Sequence, residues 1–86
     1  SNLQIFPNPF DGQTTILMET FNASSSNSIP TQLQIFDSMG RLVLERDFSG
    51  QNQSQGSVFR LDWGADVEAG LYVVKFGGVV RKVVRW

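Results

Sequence analysis

The side chains that most often carry out chemistry are largely missing from this 86-residue chain, which has neither histidine nor cysteine. Thiol nucleophiles, disulfides, imidazole bases and the common zinc ligand sets are therefore excluded. What remains is carboxylates and cations. Asp62, Asp66 and Glu68 lie close enough in sequence to hold calcium through oxygen ligands. Their spacing is not that of an EF-hand loop, and a solvated acidic connection is the simpler reading. No two carboxylates recur at a spacing that fixes acid–base geometry. We expect no catalytic residue, no metal and no cofactor.

The cations say more. Lys75, Arg81, Lys82 and Arg85 are four of the seven basic residues, and all eight acidic residues lie at or before Glu68. Residues 69–86 therefore carry +4 and the preceding part −5. The same stretch reads Gly70-Leu71-Tyr72-Val73-Val74-Lys75-Phe76, then Gly77-Gly78, then Val79-Val80-Arg81-Lys82-Val83-Val84-Arg85. Two Val- and aromatic-rich runs around a Gly-Gly pair predict a hairpin over 70–86, because a primed turn needs positive φ. Replacing Gly78 with a β-branched residue is expected to disrupt it. Alternation puts Arg81 and Arg85 on one face of the last strand and Lys82 on the other. Charges on an edge strand commonly do no more than stop sheets from pairing. The missing acidic neighbours argue for contact with a partner, and strand addition would let the bases set its register.

The elements that must position this hairpin follow from patterning. With 41% hydrophobic residues the chain can build one core, and we expect one domain over residues 1–86. Leu3-Gln4-Ile5-Phe6 reads as a short edge strand stopped at Pro7-Asn8-Pro9, where the prolines lack the N–H a ladder needs. Phe10 is then free to turn inward as an anchor. Thr14 to Phe21 alternates with Ile16, Met18 and Thr20 on one face. Thr31 to Asp37 turns Leu33 and Ile35 inward. Asp37-Ser38-Met39-Gly40 is a turn with Asp bonding the backbone ahead. Arg41 to Phe48 returns with Leu42 and Leu44 sharing a face. Ser57 to Trp63 points Phe59, Leu61 and Trp63 inward. Asn22–Pro30 and Ser49–Gly56 are polar loops, and Asp66 to Leu71 has room for one helical turn. Seven strands at regular spacing predict an all-β, immunoglobulin-like antiparallel β-sandwich. No apolar run reaches the roughly 18 residues of a spanning helix, and no secretory leader opens the chain.

Taken in order, Phe6-Pro7-Asn8-Pro9-Phe10, Thr14-Thr15-Ile16, Leu33-Gln34-Ile35-Phe36-Asp37, Gly40-Arg41-Leu42-Val43, Gly70-Leu71-Tyr72-Val73-Val74 and Arg81-Lys82-Val83-Val84-Arg85 resemble the C-terminal sorting domain of the type IX secretion system of Bacteroidetes. The match runs from about Leu3 to Arg85. Trp86 and the Asn22–Pro30 loop depart from the family pattern. The resemblance implies a sandwich at the end of a secreted or cell-surface protein, exported through periplasm and outer membrane. It implies three partners: the outer-membrane translocon, a cell-surface sortase-like peptidase that removes the domain, and an N-terminal cargo domain of the same chain. Carried over residue by residue, translocon recognition falls on Gly70, Tyr72, Arg81, Lys82, Val83, Val84 and Arg85, and the N-terminal motif on Pro7, Asn8 and Pro9.

The rival reading is a carbohydrate- or protein-binding accessory sandwich with Trp63, Trp86 or Phe48 as stacking platforms. Alternation turns Trp63 inward and leaves Trp86 alone. Nucleic-acid binding is not expected, since the net charge is −1 and aromatics do not interleave with the bases.

Overall fold

The computed structural model describes residues 2–20, 32–48 and 57–86. Seven strands run through them: β1 (Asn2–Phe6), β2 (Thr14–Thr20), β3 (Gln32–Asp37), β4 (Leu42–Asp47), β5 (Ser57–Trp63), β6 (Gly70–Phe76) and β7 (Val79–Arg85). They form two antiparallel sheets packed as a sandwich, ordered β1-β2-β5 and β4-β3-β6-β7. The all-β sandwich expected from the alternating pattern is what forms. The polar loops expected at Asn22–Pro30 and Ser49–Gly56 lie outside the described residues.

Alternation decides the core. Ile16 and Met18 from β2, Leu33 and Ile35 from β3, and Val74 and Phe76 from β6 lose all contact with water. Each position two residues apart faces the opposite sheet, so a period of two buries one row per strand. Phe59 stacks on Phe48 at 4.8 Å and meets the edge of Phe76 at 6.4 Å, which fills the β4–β5 side. Trp63 meets the edge of Tyr72 at 5.1 Å on the β6–β7 side. Phe48 and Trp63 are thus core residues and offer no stacking platform.

Three local expectations change. Leu42 and Leu44 do not share a face, because the register of β3 on β4 shifts between Ile35 and Phe36. Leu44 stands opposite inward Ile35, while Leu42 stands opposite Phe36 and is half exposed. A bulge moves every later side chain to the other face. No helical turn forms at Asp66, where the chain makes a turn and enters β6 at Gly70. In the β6–β7 turn, Gly77 has φ +62 while Gly78 is outside the left-handed region and open to solvent. That is the pattern of a type II′ turn, with the strain-sensitive residue first. Gly77, not Gly78, is the position a β-branched side chain would disrupt.

Asp37 caps the β3–β4 turn as expected. Its Oδ1 accepts from the N–H of Met39 and of Arg41, both at 2.9 Å, and Oδ2 accepts from Arg41 Nε at 2.9 Å. The Arg41 N–H foremost, with the Arg41 guanidinium and the Met39 N–H, holds this carboxyl below its ordinary value despite partial desolvation.

Candidate functional site

The site is a seam between two segments far apart in sequence. In a hairpin with a two-residue turn, Val79, Arg81, Val83 and Arg85 bond back to β6. The N–H and C=O groups of Val80, Lys82, Val84 and Trp86 are left facing away from it. Residues 7–10 occupy most of that edge. Asn8 Nδ2 donates to Lys82 O at 2.9 Å, and Val84 N–H donates to Asn8 Oδ1 at 3.1 Å. A carboxamide carries one donor and one acceptor side by side, so Asn8 imitates a strand's peptide group. Phe10 N–H then donates to Val84 O, and Trp86 N–H donates to Phe10 O, both at 2.9 Å. Phe10 and Arg85 form a parallel bridge.

Three groups hold the seam in place. The Phe10 ring is fully buried, tilted against Trp63 at 5.9 Å, and Arg85 sits 5.8 Å from its centroid. Gly64 makes room for that ring: with φ +109, a Cβ there would lie 2.6 Å from Phe10 Cζ. Buried Thr14 donates from Oγ1 to Pro7 O at 2.7 Å. Arg85 ties β7 to two loops, donating from Nε to Val67 O at 2.8 Å and from Nη1 to Gly12 O at 3.4 Å. Both X–Pro bonds in this segment, Phe6–Pro7 and Asn8–Pro9, are cis.

The residues singled out by sequence divide by exposure. Tyr72 and Val83 are buried, and Tyr72 Oη donates to Glu68 O at 2.6 Å. Gly70, at the start of β6, pairs with Arg85. Val84 and Arg85 are half-buried, and Arg81 and Lys82 exposed. Arg81 Nη1 donates to Val80 O at 3.1 Å. Pro7, Asn8 and Pro9 are exposed on top of the seam. Strand addition along β7 was the expected mode of contact. The carbonyl of Lys82, the N–H and carbonyl of Val84 and the N–H of Trp86 are already paired, which closes that route over the end of the strand.

Sequence reading missed Thr14, Gly64 and the pairing of Asn8 with β7. No local signal marks them, because each matters only through a residue brought in from another part of the chain. Elsewhere, Asp62 accepts from Thr15 Oγ1 at 2.9 Å and from Arg60 Nε at 3.3 Å. No three acidic side chains gather as they would around a metal ion among the described residues. The largest exposed aromatics described are Phe6 and Trp86, and no ring contact joins them.

A family model described as a secretion system C-terminal sorting domain matches residues 4–85. No curated protein and no solved structure matches the chain.

Proposed function

Because the chain belongs to the family of secretion system C-terminal sorting domains, we propose that its signal is read at the seam where residues 7–10 lie along β7. The domain is a sorting signal for type IX secretion and directs export through the outer membrane to the cell surface or beyond. Its family is in general non-catalytic, and in this reading the chain carries out no reaction of its own. The observation that carries the proposal is that Pro7–Phe10 and Lys82–Trp86 meet through direct hydrogen bonds.

In this reading Arg81 and Lys82 touch the outer-membrane translocon. Gly70, Tyr72, Val83, Val84 and Arg85, with Pro7, Asn8 and Pro9, hold the surface in shape. Like-charged side chains free of acidic neighbours speed encounter and discriminate among partners more than they add affinity. A cell-surface sortase-like peptidase then separates the domain from its N-terminal cargo.

The test is a reporter carrying an ordinary export signal and these 86 residues, expressed in a type IX-competent bacterium. A version ending at Gly78 lacks β7. Reporter outside the cell only with the intact domain supports the proposal. Retention of both in the periplasm overturns it.

A further inference from the structure

The four-stranded sheet has a second surface that the core does not use. Leu71, Val73 and Lys75 of β6 pair with Val84, Lys82 and Val80 of β7, respectively. They alternate with buried Tyr72, Val74, Phe76 and Val83, so all six stand on the outer face of the sandwich. Leu71 is 39% exposed and Val80 49%. An open hollow of about 400 Å³ runs beside them, with Phe36 on its floor and Lys75 Nζ 5.2 Å from that ring. β-Branched and apolar side chains around two cations, on a face turned to water, are what a docking surface presents.

Two observations say what these cations do not do. From Lys82 O onward the edge of β7 is already covered by Asn8 and Phe10, so a charge at Lys82 has less of a pairing strand to ward off. Neither Lys75 nor Lys82 makes an ion pair among the described residues. The acidic groups of the same sheet lie on its far side, on β3 and β4: Asp37 pairs with Arg41, Glu45, whose charge two neutral amides do not cancel, accepts from Gln32 and Gln34 at 3.0 and 2.9 Å, and Asp47 stands opposite Gln32. The hairpin part of the face, residues 70–85, carries both lysines and no acidic residue, so positive charge there surrounds an apolar centre.

We propose that the outer face of the β6–β7 hairpin, built from Leu71, Val73, Lys75, Val80, Lys82 and Val84, is the surface that docks on the secretion machinery, and that its partner there is a protein surface with an apolar centre and carboxylates placed against Lys75 and Lys82. This rests on the sorting function above and adds to the seam a face beside it, on which Lys82 and Val84 stand while Arg81 lies on the opposite side of β7. Charge complementarity fixes the partner's sign. Two lysines are too few for an anionic lipid surface, which takes clusters of roughly four to eight bases.

The deciding experiment compares the intact reporter fusion with K75E/K82E, with the milder K75Q/K82Q and with the version ending at Gly78. Circular dichroism melting of the isolated variant domains accompanies secretion. The expected result is export of the intact fusion, with K75E/K82E folded and its extracellular reporter down roughly tenfold or more. K75Q/K82Q should fall between them. Normal export of both lysine variants, with the truncation retained, overturns this face while leaving the sorting function standing. Retention of the intact fusion overturns the sorting function and this inference with it. Should K75E/K82E unfold, normal export of K75Q/K82Q overturns the inference and impaired export of the folded Gln pair supports it. Dimers of the wild-type domain in sedimentation that the Gln pair abolishes would assign the face to a second copy. Loss of sedimentation with anionic vesicles in that variant would assign it to lipid. Either result overturns the proposal.

Discussion

The two outer strands of the four-stranded sheet solve one problem in different ways. β4 is an outer strand of its sheet and carries Glu45, Arg46 and Asp47, charges of mixed sign on exposed positions, together with the bulge opposite Ile35. β7 has no acidic residue at all, and its edge is covered by a segment from the start of the domain. Pro7 and Pro9 finish that cover, since a proline offers no N–H to another strand. Where an edge is defended by charge, the charge is committed to that task. Where it is defended by chain, the charges on the strand are available for recognition. This contrast is what sets Lys82 apart from Arg46 in the proposal.

Removing the cover tests the contrast most severely. Phe10→Ala deletes a fully buried ring against Trp63 and should cost about 3–5 kcal/mol, read from urea denaturation. The folded fraction should also self-associate at high concentration, because the edge of β7 is then uncovered. A loss below about 1 kcal/mol would mean that the seam adds little to the fold.

Asn8→Ala sharpens the comparison with a smaller effect. It removes the bonds to Lys82 O and Val84 N–H and should cost about 1 kcal/mol. Amide exchange should quicken at Val84 and stay unchanged in β4. Equal protection of Val84 in both proteins would show that Asn8 does not close the edge.

The smallest effect belongs to the other hairpin. Asp37 is held below its ordinary value of 3.8. A carboxyl lowered by folding adds stability that is full above its unfolded value and is lost as pH falls through the folded one. Stability followed from neutral pH down to roughly 2 should drop more in the wild type than in Asp37→Asn, with the difference confined to the acid end. The β6–β7 turn is shaped by Gly77 instead of by a capping carboxylate.

Much of the fold was legible in the residues themselves. Leu33 and Ile35, Ile16 and Met18, and Phe59 and Trp63 fall on inward faces because a strand's period of two is written directly into sequence spacing. The turn at Asp37 was legible too, since its partners are two and four residues away. Leu42 was not, because a bulge depends on how two strands match and not on either alone. The choice between Gly77 and Gly78 went the same way: two glycines permit either primed turn, both close on the Phe76–Val79 pair, and only the folded backbone shows positive φ at Gly77 alone.

By itself the sequence determined seven alternating runs, the turns between several of them, and a basic terminal hairpin without acidic neighbours. Each of these depends on residues within a few positions of one another. Tertiary structure alone decided that Asn8 meets Lys82, 74 residues away, and that Gly64 yields its space to Phe10. Those contacts come from packing two sheets face to face, which brings the segment after β1 alongside β7. The chain between them carries no local spacing that could specify which distant strand a short irregular segment will cover.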